Sequence, residues 1–104
     1  MMIARWHVMA KFGHKQEVID LLKEWNSTIG AQTDVDMSKA RVLSGSVGSK
    51  EAMIVSELEI ADLAELGSFF DKIAAVQPHK DWGRKLSDLV VSGSSYWDVY
   101  RVVP

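Results

Sequence analysis

The closing run Ser94-Ser95-Tyr96-Trp97-Asp98-Val99-Tyr100-Arg101-Val102-Val103 constrains this chain more than any other stretch. Aromatic and β-branched residues crowd it and Pro104 ends it, so it reads as a strand. Successive side chains of a strand point to opposite faces. Trp97, Val99, Arg101 and Val103 therefore share one face, and Tyr96, Asp98, Tyr100 and Val102 the other. Each face carries large apolar groups and one charge. A sheet with helices on one side and water on the other alternates cleanly instead. A strand with two apolar faces at a sheet edge needs a cover.

The rest of the chain supplies that sheet. Met2 to Phe12 reads as a first strand, with Met2, Ala4, Trp6, Val8, Ala10 and Phe12 on its core face. Ile3, Arg5, His7, Met9 and Lys11 take the other face, a mixture that suggests partial burial. After Gly13 a helix runs to about Ile29, with Val18, Leu21, Leu22, Trp25 and Ile29 as its apolar stripe. Gly30 stands where a left-handed C-terminal cap is expected. Gln32 to Ser38 is polar and turn-like, and Asp34 and Asp36 lack the further ligands of a calcium loop.

Lys39 to Val47 and Glu51 to Ile60 form two further strands joined through Gly48-Ser49, a hairpin signal. Asp62, with Glu65 three residues on, resembles a capping box. A second amphipathic helix follows, with Leu63, Leu66, Phe70 and Ile73 inward. Gly67 inside it implies close approach to a neighbouring element, because glycine there costs about 1 kcal/mol relative to alanine. Pro78 separates a third helical segment, with Trp82, Leu86, Leu89 and Val90 inward, and Gly93 marks its exit.

This order predicts one α+β domain over residues 1–104: a four-stranded antiparallel sheet with helices on one face. Right-handed crossovers place the first and third strands in the centre and the second and fourth at the edges. Both faces of the last strand then point to self-association. A symmetric homodimer is the common way to cover such a surface. Cover of the open face within one chain, by the third helix or the C-terminus, is the alternative.

Composition narrows the function classes. The chain has no cysteine, which excludes disulfides, thiolate zinc sites and cysteine nucleophiles and fits a reducing cytoplasm. A net charge of −2 with scattered Lys and Arg gives no basic stripe for nucleic acid. The start, Met-Met-Ile-Ala-Arg-Trp-His, has no apolar core of signal-peptide length, and no stretch suits a membrane span. The expected setting is cytoplasmic, with no membrane partner.

The run Glu57-Leu58-Glu59-Ile60-Ala61-Asp62-Leu63-Ala64-Glu65, then Phe69-Phe70-Asp71-Lys72-Ile73, Gln77-Pro78-His79-Lys80-Asp81-Trp82 and the closing strand carry a resemblance. Together they are similar to the dimeric α+β barrel superfamily, in particular its NIPSNAP-like and antibiotic-biosynthesis-monooxygenase-like branches. The likeness covers nearly the whole chain and is one of layout and residue character. It implies two ferredoxin-like sheets meeting as a barrel, with a pocket between sheet and helices in each protomer. Some members oxidise aromatic polyketides or quinols without metal or flavin; others degrade haem. The haem-degrading branch uses an asparagine on the first strand, then a tryptophan and a histidine. By layout Arg5, Phe69 and His79 stand at those places here. Only the histidine matches, so the resemblance implies no haem degradation.

His79 beside Pro78 is either a proton shuttle or polar anchor for a ligand, or a partly exposed histidine of a first helical turn. Arg5 and His7 share one strand face, where they either hold an anionic or phenolic group or meet Asp98 or Glu57 in a polar network. His7, His14 and His79 do not show a metal-ligand spacing. Trp6, Trp25, Trp82 and Trp97 are either core or the wall of a pocket for a flat ligand. Ser92, Ser94 and Ser95 show no nucleophile-elbow pattern. The reading is a homodimer that binds a small apolar, aromatic or polyketide-like molecule and, in an enzymatic version, oxidises it without a cofactor. His79 and Arg5 would handle a proton or anion. His7, Phe69, Trp82 and Trp97 would contact the substrate. A non-catalytic binding or accessory module is the alternative.

Overall fold

The computed structural model describes residues 1–104. The elements are β1 (Met2–Met9), α1 (Lys15–Thr28), β2 (Arg41–Ser44), β3 (Met53–Ile60), α2 (Leu63–Ala74), α3 (Gln77–Ser87) and β4 (Tyr96–Arg101). The four strands form one sheet in the order β2-β3-β1-β4, and every pairing is antiparallel. This is the ferredoxin-like α+β fold expected from the sequence, with β1 and β3 central.

Strand register decides what faces what. Trp6 lies opposite Ser56 of β3 and Trp97 of β4, and Arg5 lies opposite Glu57 and Asp98. Ala4, Val8, Ile54, Leu58 and Ile60 turn to the helices and join Val18, Leu22, Trp25, Ile29, Leu66, Phe69, Trp82 and Leu86 in one buried core. Burying an aliphatic side chain of that kind contributes about 1.5–3 kcal/mol. The residues between them face the opposite side, where Ile3, Arg5, His7, Met9 and their cross-strand partners carry no helix. No helix is long and apolar enough to cross a membrane.

Local chemistry sets the helix ends. The Asp62 carboxylate accepts from the Glu65 N–H at 2.9 Å, and Glu65 accepts from the Ala61 N–H at 3.2 Å. The capping box is therefore formed, with its return bond one residue early. Pro78 sits in the first turn of α3, where its missing N–H breaks no helical bond. In the loop before β2, Asp36 accepts from the Ser38 hydroxyl and N–H, which lower its pKa from the ordinary carboxylate value. Asp34 pairs with Lys72.

Several expectations need correction. β1 ends at Met9, and Phe12, expected on the core face, is fully exposed, because the chain turns out of the sheet through Gly13 at φ 84°. Gly30 is no left-handed cap. It is buried in a short 3₁₀ turn, where a Cβ would lie 2.6 Å from Met37 Cε and 3.2 Å from Trp25 Cζ3, so close packing explains it. At Gly67 the reverse holds: a Cβ would meet nothing within 4 Å, and no element approaches closely. In α2 the buried pair is Leu66 and Phe69, whereas Leu63 is exposed and Phe70 partly so.

Candidate ligand-binding site

Between the inner face of the sheet and the helices lies a cavity of about 350 Å³. All four tryptophans of the chain line it. Trp6 comes from β1, Trp97 from β4, Trp25 from α1 and Trp82 from α3. Phe69 and Phe70 of α2 close another side, and Ser56 of β3 and His79 of α3 bring polar side chains into the wall. The volume falls in the range of pockets that take small organic ligands.

The wall is tied in place by hydrogen bonds and ring contacts. Trp82 Nε1 donates to the Leu21 carbonyl at 2.7 Å. Trp25 Nε1 donates to His79 Nδ1 at 3.0 Å. The His79 ring stacks on Trp82 with centroids 5.9 Å apart, and Phe70 meets Trp97 edge-on at 5.2 Å. Each such pair contributes about 0.5–1.5 kcal/mol beyond its buried area. Tryptophan and phenylalanine have few rotatable bonds, so this wall loses little entropy when a ligand arrives.

The Trp25 bond settles the state of His79. An indole N–H can only donate, so Nδ1 must offer a lone pair, and the proton of the neutral ring is on Nε2. Burial also lowers the His79 pKa from its ordinary 6.5. At neutral pH the ring is uncharged, with an N–H donor at Nε2 that has no partner in the chain.

Arg5 and His7 stand elsewhere. They alternate with Trp6 along β1, so the sheet itself separates them from His79 and the cavity. The expected union of His79 with Arg5, and of His7 with the tryptophans, is therefore not formed within the chain. Of the residues expected at a site, His79, Phe69, Trp82 and Trp97 come together. Arg5 and His7 belong to the polar network that the sequence offered as their alternative. Arg5 Nε is 3.8 Å from Asp98 Oδ1, and the guanidinium lies 5.3 Å from the centre of the Tyr100 ring. His7, itself buried, stacks on Tyr96 at 4.3 Å and comes within 3.0 Å of Asp98 Oδ2 without hydrogen-bond alignment. Arg5 Nε, His7 Nε2 and Asp98 Oδ1 are all buried and lack hydrogen-bond partners. Glu57 accepts from Arg41 Nε at 2.8 Å.

Ser56 and Phe70 were not singled out as site residues by sequence. A lone serine among Ile54, Leu58 and Ile60 on a core face was the available signal for the first. Phe70 reads as plain core from its spacing.

No model of a protein family matches this sequence, and no curated protein does. Solved structures match well. A structure named antibiotic biosynthesis monooxygenase superimposes with a TM-score of 0.71 at 13% identity, covering 100% of both chains. This chain shares its fold. A NIPSNAP family protein from Agrobacterium tumefaciens gives a TM-score of 0.72 at 20% identity, over 100% of this chain and 93% of that one. Protein Atu4242, also from Agrobacterium tumefaciens, gives 0.77 at 12% identity, over 99% and 94%. The likeness to the monooxygenase-like and NIPSNAP structures thus holds for the architecture of the whole chain, and at these identities it speaks for the fold alone.

Proposed function

We propose that this protein binds a small, flat aromatic molecule in the tryptophan-lined cavity, with His79 Nε2–H donating to an oxygen on it. The observation that carries this reading is the Trp25–His79 bond, which leaves His79 Nε2–H as an oriented donor in an aromatic wall. Pockets of this kind combine apolar area for affinity with a few fixed polar groups for orientation.

The name of one structural neighbour suggests a further step, cofactor-free oxygenation. Activating a phenolic substrate for that reaction calls for a base to remove its proton. His79 carries a proton on its open nitrogen, so it would first have to shift that proton to Nδ1 and give up the Trp25 bond. Arg5, the other residue expected to handle charge, lies across the sheet. Binding therefore stands ahead of catalysis in this reading.

We also propose that a second copy of the chain covers the open sheet face. Tyr96 and Tyr100 are about half exposed there, beside three buried polar atoms without partners. Unpartnered buried polar groups are costly, and a facing copy can bring both apolar cover and hydrogen bonds.

The test is thermal unfolding of wild type and His79→Ala with and without 2-naphthol. A ligand that binds only the folded state raises the midpoint in proportion to its affinity. The expected result is a clear rise for wild type and a much smaller one for the variant. No rise for wild type would remove the reading, and equal rises would remove His79 from it.

A further inference from the structure

The sheet floor of the cavity holds a residue whose place in the fold does not explain it. Ser56 sits mid-strand in β3, paired with Trp6 on one side and Val42 on the other. Its neighbours on the same face, Ile54 and Leu58, are 0% and 2% exposed. An apolar, β-branched residue is the ordinary occupant of such a position. Serine is there instead, it is only half-buried, and its hydroxyl takes part in none of the side-chain hydrogen bonds of the chain. On the inner face of a strand paired on both sides, that exposure comes through the cavity, whose wall includes Ser56.

The polar inventory of the wall sharpens the point. Trp25 and Trp82 have spent their indole N–H groups on His79 and on the Leu21 carbonyl. Ser56 and His79 are the lining residues with a hydroxyl or an imidazole, one on β3 and one on α3. A hydroxyl both donates and accepts, whereas His79 Nε2–H only donates. The indole N–H groups of Trp6 and Trp97, which also line the cavity, only donate as well, so the Ser56 hydroxyl is the side-chain group of the wall that can accept from a ligand hydroxyl.

We infer that Ser56 is a specificity-determining residue of this site, selecting aromatic ligands with a second oxygen on the ring edge away from the one that meets His79. This rests on the aromatic-ligand reading above. A site equipped to hydrogen-bond a ligand hydroxyl discriminates against the analogue that lacks it, because a wall group is then left without a partner. The mutation series that exposes this role must compare two ligands on one protein, so that packing changes cancel.

The experiment measures quenching of tryptophan emission by 2-naphthol and by naphthalene-2,6-diol, which has an oxygen at each end. Wild type, Ser56→Ala and Ser56→Thr are compared. The expected result is that wild type prefers the diol by about tenfold, the value of one good hydrogen bond of about 1.4 kcal/mol. Ser56→Ala should lose that preference, read as the ratio of the two affinities on the same protein, and Ser56→Thr should restore it. If 2-naphthol binds but the preference is absent in wild type or unchanged in Ser56→Ala, Ser56 has no selecting role and the aromatic-ligand reading survives. If neither compound quenches wild type, that reading falls and takes this inference with it.

Discussion

Trp25 on α1 and His79 on α3 are joined by a single 3.0 Å hydrogen bond, from indole Nε1 to imidazole Nδ1. The bond ties two helices together beneath the cavity wall and assigns the histidine's proton to Nε2. Structure and chemistry meet there: the residue that holds the helices also sets what the cavity offers a ligand.

Replacing Trp25 by phenylalanine keeps an aromatic ring and deletes the donor. Loss of the bond and of part of the indole should lower stability by about 1–3 kcal/mol, read from urea unfolding. The nitrogen shifts of His79 are the more specific readout. Wild type should show a pyridine-like Nδ1 and a pyrrole-like Nε2, and Trp25→Phe a tautomer mixture. Identical shifts in both proteins would mean that the bond does not set the tautomer.

The lowered pKa of His79 gives a pH dependence with a definite sign. In the unfolded chain the ring takes up a proton near its ordinary 6.5, and in the folded chain only at lower pH. Between those values the unfolded state binds more protons, so stability falls as pH falls. Above 6.5 the contribution of the neutral ring is complete. The stability gap between wild type and His79→Ala should therefore be wider at about pH 8 than at about pH 5. A gap that does not change with pH would contradict the burial of this ring.

Gly67 and Gly83 both lie inside helices, and a Cβ at either would meet nothing within 4 Å. Alanine at each should stabilise the fold by about 0.5–1 kcal/mol through helix propensity alone. Their effects on ligand binding should differ. Gly83 lines the cavity and Gly67 does not, so only Gly83→Ala should weaken 2-naphthol binding. Equal affinities for the two variants would argue that the ligand sits away from α3.

Light scattering at micromolar concentration tests the second copy on the open face. Wild type is expected to have the mass of a dimer. Tyr100→Lys places a charge on that face beside Arg5 and should give a monomer whose thermal response to 2-naphthol is kept. A monomeric wild type removes the proposal.

Periodicity made the framework legible. The alternation of β1 and the stripe Val18, Leu22, Trp25 and Ile29 marked the elements, and right-handed crossovers between them led to the right strand order. The cavity was half legible, because Phe69, Trp82 and Trp97 were placed there by residue character and layout. Its polar chemistry was not. The Trp25–His79 bond joins residues 54 apart in sequence, and no local pattern announces such a contact. Arg5 failed as a partner of His79 for a reason that strand alternation already contained: Trp6 faces the helices, so Arg5 cannot. Gly13, Gly48 and Gly93 turn the chain as expected, whereas Gly30 and Gly67 were misread, because a glycine that permits close packing and one that occupies open space look the same in sequence.

An aromatic ligand held in this cavity would touch all four tryptophans. A nitrogen–proton correlation spectrum resolves their indole N–H signals separately, before and after addition of 2-naphthol. The signals of Trp6, Trp25, Trp82 and Trp97 are expected to shift together along one saturable curve, with His79 Nε2 moving alongside them. Indole signals that stay in place while surface amides shift would contradict binding in this cavity.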